Sequence, residues 1–389
     1  LLENARHGYK RFLLCFSSDS MPEFTPHQDA ALNAVATWLK DGPGTRGTPQ
    51  IFRLFGFAGT GKTTLARHVA GHIDGEVKFA AFTGKAALVM RGKGCYGAST
   101  IHSLIYRARE SGEETPSFEL WDDAPASKAE LIVIDECSMV DAELGRDLMS
   151  FGVPVLVLGD PAQLPPIQGG GFFTEAEPDA MLTEVHRQAQ DDPIVRLSMQ
   201  VRNGERLSVG EYGRTSVVKR DAFDPQRALE TDQILVGRNA TRRAYNVRLR
   251  ERRGFTDPLP QSGDKLVCLR NNRRKGLFNG GLWNVAERPT TRRQILKLRL
   301  NPDEGFAGKG VKVSVRPECF TGRIEDFDWP NRKKYDEFDY GYVLTVHKAQ
   351  GSQWDDVVLF DESFAFPDNR ERWLYTGITR AAKRLTLVV

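Results

Sequence analysis

Mostly apolar runs of four to six residues, each closed by glycine or a polar cluster, recur along the chain. They predict buried strands at Ile51–Phe55, Val77–Phe82, Leu131–Ile134, Val153–Leu158 and Gln233–Gly237. Between them the pattern switches to helical spacing. Phe24–Asp29 opens a helix that runs through Leu39, Thr64–Ala70 forms another, Gly97–His102 leads into a helical turn, and Arg238–Asn246 opens a basic helix. Strands alternating with helices predict open parallel sheets covered on both faces. From Gly263 the pattern changes again. Gly263–Arg270, Phe278–Val285, Gln294–Leu300 and Gly310–Val315 are short strand-like segments separated by Asn-Gly or Gly-rich turns, which predicts a small antiparallel barrel inserted in a second α/β domain. Tyr342–Val346, Asp356–Phe360 and Leu385–Val389 then complete that domain's sheet.

A chain of 389 residues with 40% hydrophobic content suits two or three domains with real cores, and no apolar run approaches a membrane span. Cys15, Cys95, Cys137, Cys268 and Cys319 form an odd, scattered set without C-x-x-C. That argues against a disulfide framework or a zinc site and for a reducing, cytoplasmic setting. Leu1–Ser20 lacks the layout of a signal peptide, so residues 1–20 are expected to be a leader outside the fold, with Met21 as the start. Net charge is only +3, but it is unevenly spread: Ala108–Asp147 holds three Lys/Arg against twelve Asp/Glu, and Arg238–Leu300 seventeen against four. The second window is either a nucleic-acid surface or a solvated face.

Candidate chemistry centres on Gly56-Phe-Ala-Gly-Thr-Gly-Lys-Thr63, which fits G-x-x-x-x-G-K-[ST] between a predicted strand and a predicted helix. Gly56, Gly59 and Gly61 let the backbone curl round phosphate oxygens, together with Thr60 and Thr64; Lys62 neutralises the β/γ charge, and Thr63 holds Mg²⁺. The chain is therefore expected to bind a nucleoside triphosphate such as ATP. Just upstream, the Gln28 amide has the donor–acceptor pair that matches the N6/N7 edge of adenine. The Leu131–Ile134 run delivers Asp135 for the shared metal and Glu136 to polarise an attacking water. A later loop places Gln163 to sense the γ-phosphate. Thr83, Lys85, Thr100 and His102 follow predicted parallel strands, where such sheets bind ligands, and suit a phosphate backbone. His68 and His72 lack a third ligand and read as an ordinary helix face.

These motifs occur in order with Leu182-Thr-Glu-Val-His-Arg-Gln188, Thr345-Val-His-Lys-Ala-Gln-Gly351 and Tyr375-Thr-Gly-Ile-Thr-Arg-Ala381. From about Phe24 to Val389 the chain resembles the superfamily 1B DNA helicases of the RecD/Dda-like branch. The resemblance implies an α/β fold of two RecA-like P-loop motor domains: 21–170 (with an inserted hairpin at 105–129), and 171–255 joined by 340–389. It also implies an SH3-like β-barrel insertion at 256–339. The implied activity is ATP- and Mg²⁺-dependent translocation on single-stranded DNA, 5′→3′, through opening and closing of the motor domains. Arg187 and Arg380 match the family's γ-phosphate arginines, and Gly351 joins the ATP-binding set. Thr83, Lys85, Thr100, His102, His347 and Lys348 match the single-strand track.

Two positions depart from the family pattern. His186 stands where relatives place Tyr or Phe, and Gln353 where many place a ribose-binding Glu. Within the inserted hairpin, Phe118 or Trp121 is the candidate strand-separation pin. Expected partners are single-stranded and forked DNA and single-strand-binding, replication or recombination proteins, with no membrane; a monomer is expected. The other readings are a motor subunit of a RecD-type recombination nuclease and, in a different class, a P-loop small-molecule kinase.

Overall fold

The computed structural model describes residues 24–45, 47–108, 118–165, 171–184, 191–272, 275, 277, 279–303, 310–326, 332 and 334–389. Residues 1–20 and Met21 lie outside the described residues. The described chain gathers into two units. One takes residues between Phe24 and Phe82, Ala86 and Ala108, and Phe118 and Arg196; the other takes Thr83–Lys85 and Leu197–Val389.

The first unit opens with helix α1 (Pro26–Lys40). Thr25 caps it through a reciprocal capping box with Gln28, and Pro26 occupies the first turn, where its missing N–H costs nothing. Then follow β1 (Ile51–Gly56), α2 (Lys62–Gly71), β2 (Val77–Ala81), α3 (Gly84–Gly92), β3 (Ser99–Thr100) and α4 (Ile101–Ile105). A short antiparallel hairpin, β4 (Tyr106–Ala108) and β5 (Phe118–Leu120), precedes β6 (Leu131–Asp135), α5 (Ala142–Met149), β7 (Val155–Gly159) and β8 (Ala180–Leu182). The sheet runs β3-β2-β6-β7-β1-β8 with every pairing parallel. Its central strands read as mostly apolar runs because both faces are covered. Leu131, Val133, Leu156 and Leu158 pack with Leu32, Val35 and Leu65, while Ile132, Ile134, Val155 and Val157 pack on the other face with Ile101, Leu104 and Leu144. The expected limit of the first motor domain at 170 falls before β8. Because β8 pairs with β1, the unit continues to Arg196.

Helix α6 (Pro193–Arg202) leads into the second unit, whose strands and helices continue as β9 (Gly210–Tyr212), β10 (Thr215–Val218), α7 (Arg227–Glu230), β11 (Gln233–Val236) and α8 (Asn239–Arg252). An antiparallel sheet follows: β12 (Lys265–Cys268), β13 (Leu282–Val285), β14 (Thr290–Arg292), β15 (Ile295–Pro302), β16 (Val311–Val315) and, after α9 (Glu318–Thr321), β17 (Phe338–Tyr340). The chain closes with β18 (Val343–Thr345), β19 (Trp354–Phe360), α10 (Arg370–Ile378) and β20 (Ala381–Val388). The unit's other sheet, β18-β11-β19-β20-β10-β9, is parallel except for β9. The two sheets share one core, in which Ile234, Val236 and Val343 meet Leu266, Trp283, Leu298 and Phe338.

Two strand expectations shift. The Tyr342–Val346 strand shortens to β18, and β17 just upstream pairs with β12 instead, so consecutive strands enter different sheets. Strand β14 was not expected. It joins β15 through a two-residue turn in which Arg293 and Gln294 both have positive φ, 49° and 60°. Such turns favour Asn-Gly, and Arg-Gln gives no signal for one.

Candidate nucleotide site and nucleic-acid track

The candidate phosphate cradle is built from backbone. At Gly56 a Cβ would sit 2.8 Å from both Leu182 Cβ and Thr60 Oγ1, while Gly59 and Gly61 turn the loop at φ 78° and 85°. Helix α2 starts directly at Lys62, and no side chain caps its N-terminus at Gly61, so its first N–H groups suit an anion. Lys62 Nζ donates to Gly56 O at 2.6 Å and Phe57 O at 2.9 Å, which holds the ammonium against the loop. Thr60 is fully buried, and its hydroxyl donates to Phe57 O at 2.9 Å. Thr64 lies in the first turn of α2.

Gln28 is buried, at 5% exposure, and ties α1 to this loop. Its Oε1 accepts from Thr25 N at 3.0 Å, and its Nε2 donates to Thr60 O at 3.0 Å. The amide expected to face adenine is thus engaged on the cradle itself. A Cβ on Gly61 would lie 2.7 Å from Gln28 Nε2, so the fit is close from both sides.

Residues far apart in sequence converge beside the cradle. Thr63 Oγ1 donates to Asp135 Oδ2 at 3.3 Å, and Asp135 Oδ1 accepts from Glu136 N at 2.9 Å. A hydroxyl beside a carboxylate at the edge of a phosphate loop is a hard-oxygen pair that fits Mg²⁺. Glu136 adopts φ 53°, ψ 48°, a left-handed conformation rare for a residue with a side chain. Gln163 Oε1 is buried without a hydrogen-bond partner among the described residues. A polar atom left so is costly unless a ligand or water satisfies it.

The expected arginines fare differently. Arg187, with His186, lies outside the described residues. Arg380, in the second unit, is buried; it donates to Thr376 O and Ser352 O, both at 3.1 Å, and to Thr379 Oγ1 at 3.2 Å. Gly351, also in that unit, needs its glycine, with φ at 71°.

The expected track residues are divided between the units. In the first, the Thr100 hydroxyl caps α4 by accepting from Ser103 N at 3.2 Å, and His102 is partly buried between Phe82 and Tyr106. In the second, Lys85 Nζ lies 3.9 Å from the Trp354 ring centroid. Desolvation, with Lys265 and Arg380 nearby and Asp303 opposing them, pushes its pKa down to about 7. Thr83 precedes it, partly buried. The His347 ring is 5.1 Å from Phe366, and burial lowers its pKa, which favours neutral imidazole; Lys348 beside it is exposed. Of the pin candidates, Phe118 contributes backbone to β5. Trp121 stands at the foot of the hairpin, its backbone N–H donating to Ile105 O at 3.3 Å and Arg107 lying 5.9 Å from its ring.

Known proteins resemble this chain over most of its length. Residues 45–221 match a family described as an AAA domain, and residues 340–388 one described as a UvrD-like helicase C-terminal domain. The chain is 28% identical over 363 residues to the ATP-dependent RecD2 DNA helicase of Deinococcus radiodurans, covering 85% of this chain and 46% of that protein. It is 32% identical over 198 residues to the ATP-dependent DNA helicase dda of Enterobacteria phage T4, covering 47% and 43%. The chain is thus similar to superfamily 1 helicases of the RecD/Dda-like branch. This RecD/Dda-like chain spans less than half the length of either relative. Its fold is also that of a structure of two coordinating Pif1 helicases at forked double-stranded DNA, with TM-score 0.57 at 20% identity over 95% of this chain and 92% of that one. Bacteroides Pif1 bound to single-stranded DNA gives TM-score 0.55 at 16% identity, over 95% and 93%.

Sequence reasoning missed two features of the RecD/Dda-like chain. The Gln28–Thr60 link was half legible, since Thr25-x-x-Gln28 is a capping-box pattern, but the reach to Thr60 depends on how α1 packs. Glu362 gave no signal beyond an acid following a strand. It is fully buried and accepts from Gly237 N, Arg238 N, the Arg238 guanidinium and the Thr241 hydroxyl, at 2.6–3.1 Å.

Proposed function

We propose that the chain is an ATP-dependent DNA helicase motor that translocates on single-stranded DNA. The observation that carries this reading is the convergence of Thr63, Asp135 and Glu136 on a glycine-built phosphate cradle. Lys62 and the α2 N-terminus bind the β- and γ-phosphates. Thr63 and Asp135 would hold Mg²⁺, which when bound neutralises charge on the phosphate oxygens. Gln163 orients the attacking water and Glu136 takes its proton as the new P–O bond forms; the bond to the bridging oxygen breaks, leaving ADP and inorganic phosphate. Arg187 and Arg380 are proposed to stabilise charge developing on the γ-phosphate, a contribution of about 10³–10⁵ in rate for such arginines. Dependence on Arg380, which the second unit carries, would couple hydrolysis to opening and closing of the two motor domains.

Thr83, Lys85, Thr100, His102, His347 and Lys348 are proposed to hold the single strand through phosphates, with little sequence preference. The antiparallel sheet of the second unit is proposed to be the SH3-like insertion and to close over the strand, and the β4–β5 hairpin to separate duplex. The 5′→3′ direction rests on family likeness.

The test is ATP hydrolysis with and without single-stranded DNA, with Lys62→Ala as control. Strong stimulation by DNA that vanishes in the variant supports the motor, and a tailed duplex then reads direction. Lys62-dependent hydrolysis indifferent to DNA refutes it.

A further inference from the structure

The loop between β19 and α10 carries two phenylalanines that the proposed hydrolysis does not use, beside basic residues from the start of α8 and the turn after β18. Phe364 is 60% exposed on a single 3₁₀ turn, Ser363–Ala365. The Arg238 guanidinium lies 5.5 Å from its ring centroid, and the Arg238 side chain is itself 52% exposed. Two residues on, Phe366 stacks on Trp373 at 5.8 Å and 12° and meets His347 at 5.1 Å, next to the exposed Lys348.

The turn is held from beneath. Both carboxylate oxygens of buried Glu362 are spent on the start of α8: Oε2 accepts from Gly237 N at 2.8 Å and Arg238 N at 2.9 Å, and Oε1 from Thr241 Oγ1 at 2.6 Å and the Arg238 guanidinium. Gly237 packs so closely that a Cβ there would lie 2.8 Å from Glu362 Cβ and 3.0 Å from Phe366 Cε2. From the far side Arg370 Nε donates to Ser363 Oγ at 3.2 Å. An exposed phenyl is commonplace on a protein surface, but here the backbone beneath it is fixed and the guanidinium beside it is oriented by a buried acid.

We propose that Phe364 is a base-stacking contact for single-stranded nucleic acid, flanked by Arg238 and Lys348 as phosphate-binding cations. The inference rests on the single-strand motor reading above and adds to it a contact outside the family-matched track residues. A phenyl offers a π-face to any base, and cations beside it neutralise backbone charge, the combination that sequence-tolerant single-strand binders use. Charge favours this occupant: the half-exposed Arg238 guanidinium lies beside the Phe364 ring, and exposed Lys348 follows the His347 that meets Phe366.

The experiment is fluorescence anisotropy of the full chain with an oligo-dT and with an abasic oligomer of equal length. Phe364→Ala is expected to bind oligo-dT about tenfold more weakly, with an unchanged thermal midpoint. Phe364→Leu, which keeps apolar contacts without the π-face, should weaken binding similarly, and Phe364→Trp should restore it. On the abasic oligomer all four proteins should bind alike. Wild-type binding to oligo-dT that both Phe364→Ala and Phe364→Leu leave unchanged overturns the stacking contact and leaves the patch to a protein partner. An equal loss on the abasic oligomer overturns it too. A wild-type chain that binds neither oligomer refutes the single-strand reading itself.

Discussion

Glu136 is the proposed base, and it sits at φ 53° and ψ 48° at the end of β6. A left-handed conformation costs a residue with a side chain about 1–2 kcal/mol, because Cβ crowds the following carbonyl. Glycine escapes that cost but gives back about 0.5–1 kcal/mol through its freer unfolded state. Glu136→Gly should therefore leave the first unit about 0.5–1 kcal/mol more stable than Glu136→Gln, which keeps the strained backbone while removing the same charge. For a unit of this size that is a rise of about 1–4 °C in its melting transition. Both variants should lose about 10²–10⁴-fold in DNA-stimulated ATP turnover, the usual contribution of a general base. Calorimetry resolves the transition and a phosphate-release assay reads the turnover. If Glu136→Gly melts below Glu136→Gln, the backbone stores no strain at this position; if Glu136→Gln turns over normally, the carboxylate is not the base. The expected pairing of lost activity with gained stability is what strain held at a functional residue produces.

Gln28→Ala removes the bond to Thr60 O and half of the capping box, and should cost about 1–2 kcal/mol of first-unit stability while raising the KM for ATP more than it lowers kcat. A lost preference for ATP over GTP in the same variant would assign the amide to adenine as well. Burial alone would raise the Glu362 pKa, but hydrogen bonds from Thr241, from Arg238 and Gly237 N–H, and from the Arg238 guanidinium hold it below the ordinary glutamate value. Its stabilising contribution is thus present above that value and lost as pH falls through the lowered one. Glu362→Gln should cost about 3 kcal/mol at pH 7, and a pH series of denaturation midpoints should show a shallower acid limb. At the tight turn after β14, Gln294→Gly should stabilise the second unit by about 0.5–1 kcal/mol, which urea titration can read; destabilisation would mean that the turn is not under strain.

Much of the site was legible because it is local. The cradle needs glycines and a lysine at contiguous positions, so its backbone geometry, its strand before and its helix after are all written in one short stretch. Strands β1, β2, β6, β7 and β11 were legible for a related reason: burial on both faces demands mostly apolar residues, a pattern that survives without knowledge of neighbours. Strand β14 escaped because its three residues are all exposed and carry no period. Strand β18 was expected within Tyr342–Val346, whereas β17 escaped because Phe338-Asp-Tyr340 is short, carries a charge and pairs with a different sheet.

The sequence by itself therefore determined the glycine-rich loop of the proposed phosphate site, the α/β character of the two mainly parallel sheets and the change to antiparallel strands after Gly263. Only tertiary structure decided that Gln28 spends its amide on Thr60, that Thr63 meets Asp135, and that Glu362 fixes the start of α8 beneath Phe364. Each of these contacts joins residues from 32 to 125 positions apart. Their partners are chosen by how helices pack on sheets, and composition and spacing do not encode that choice residue by residue.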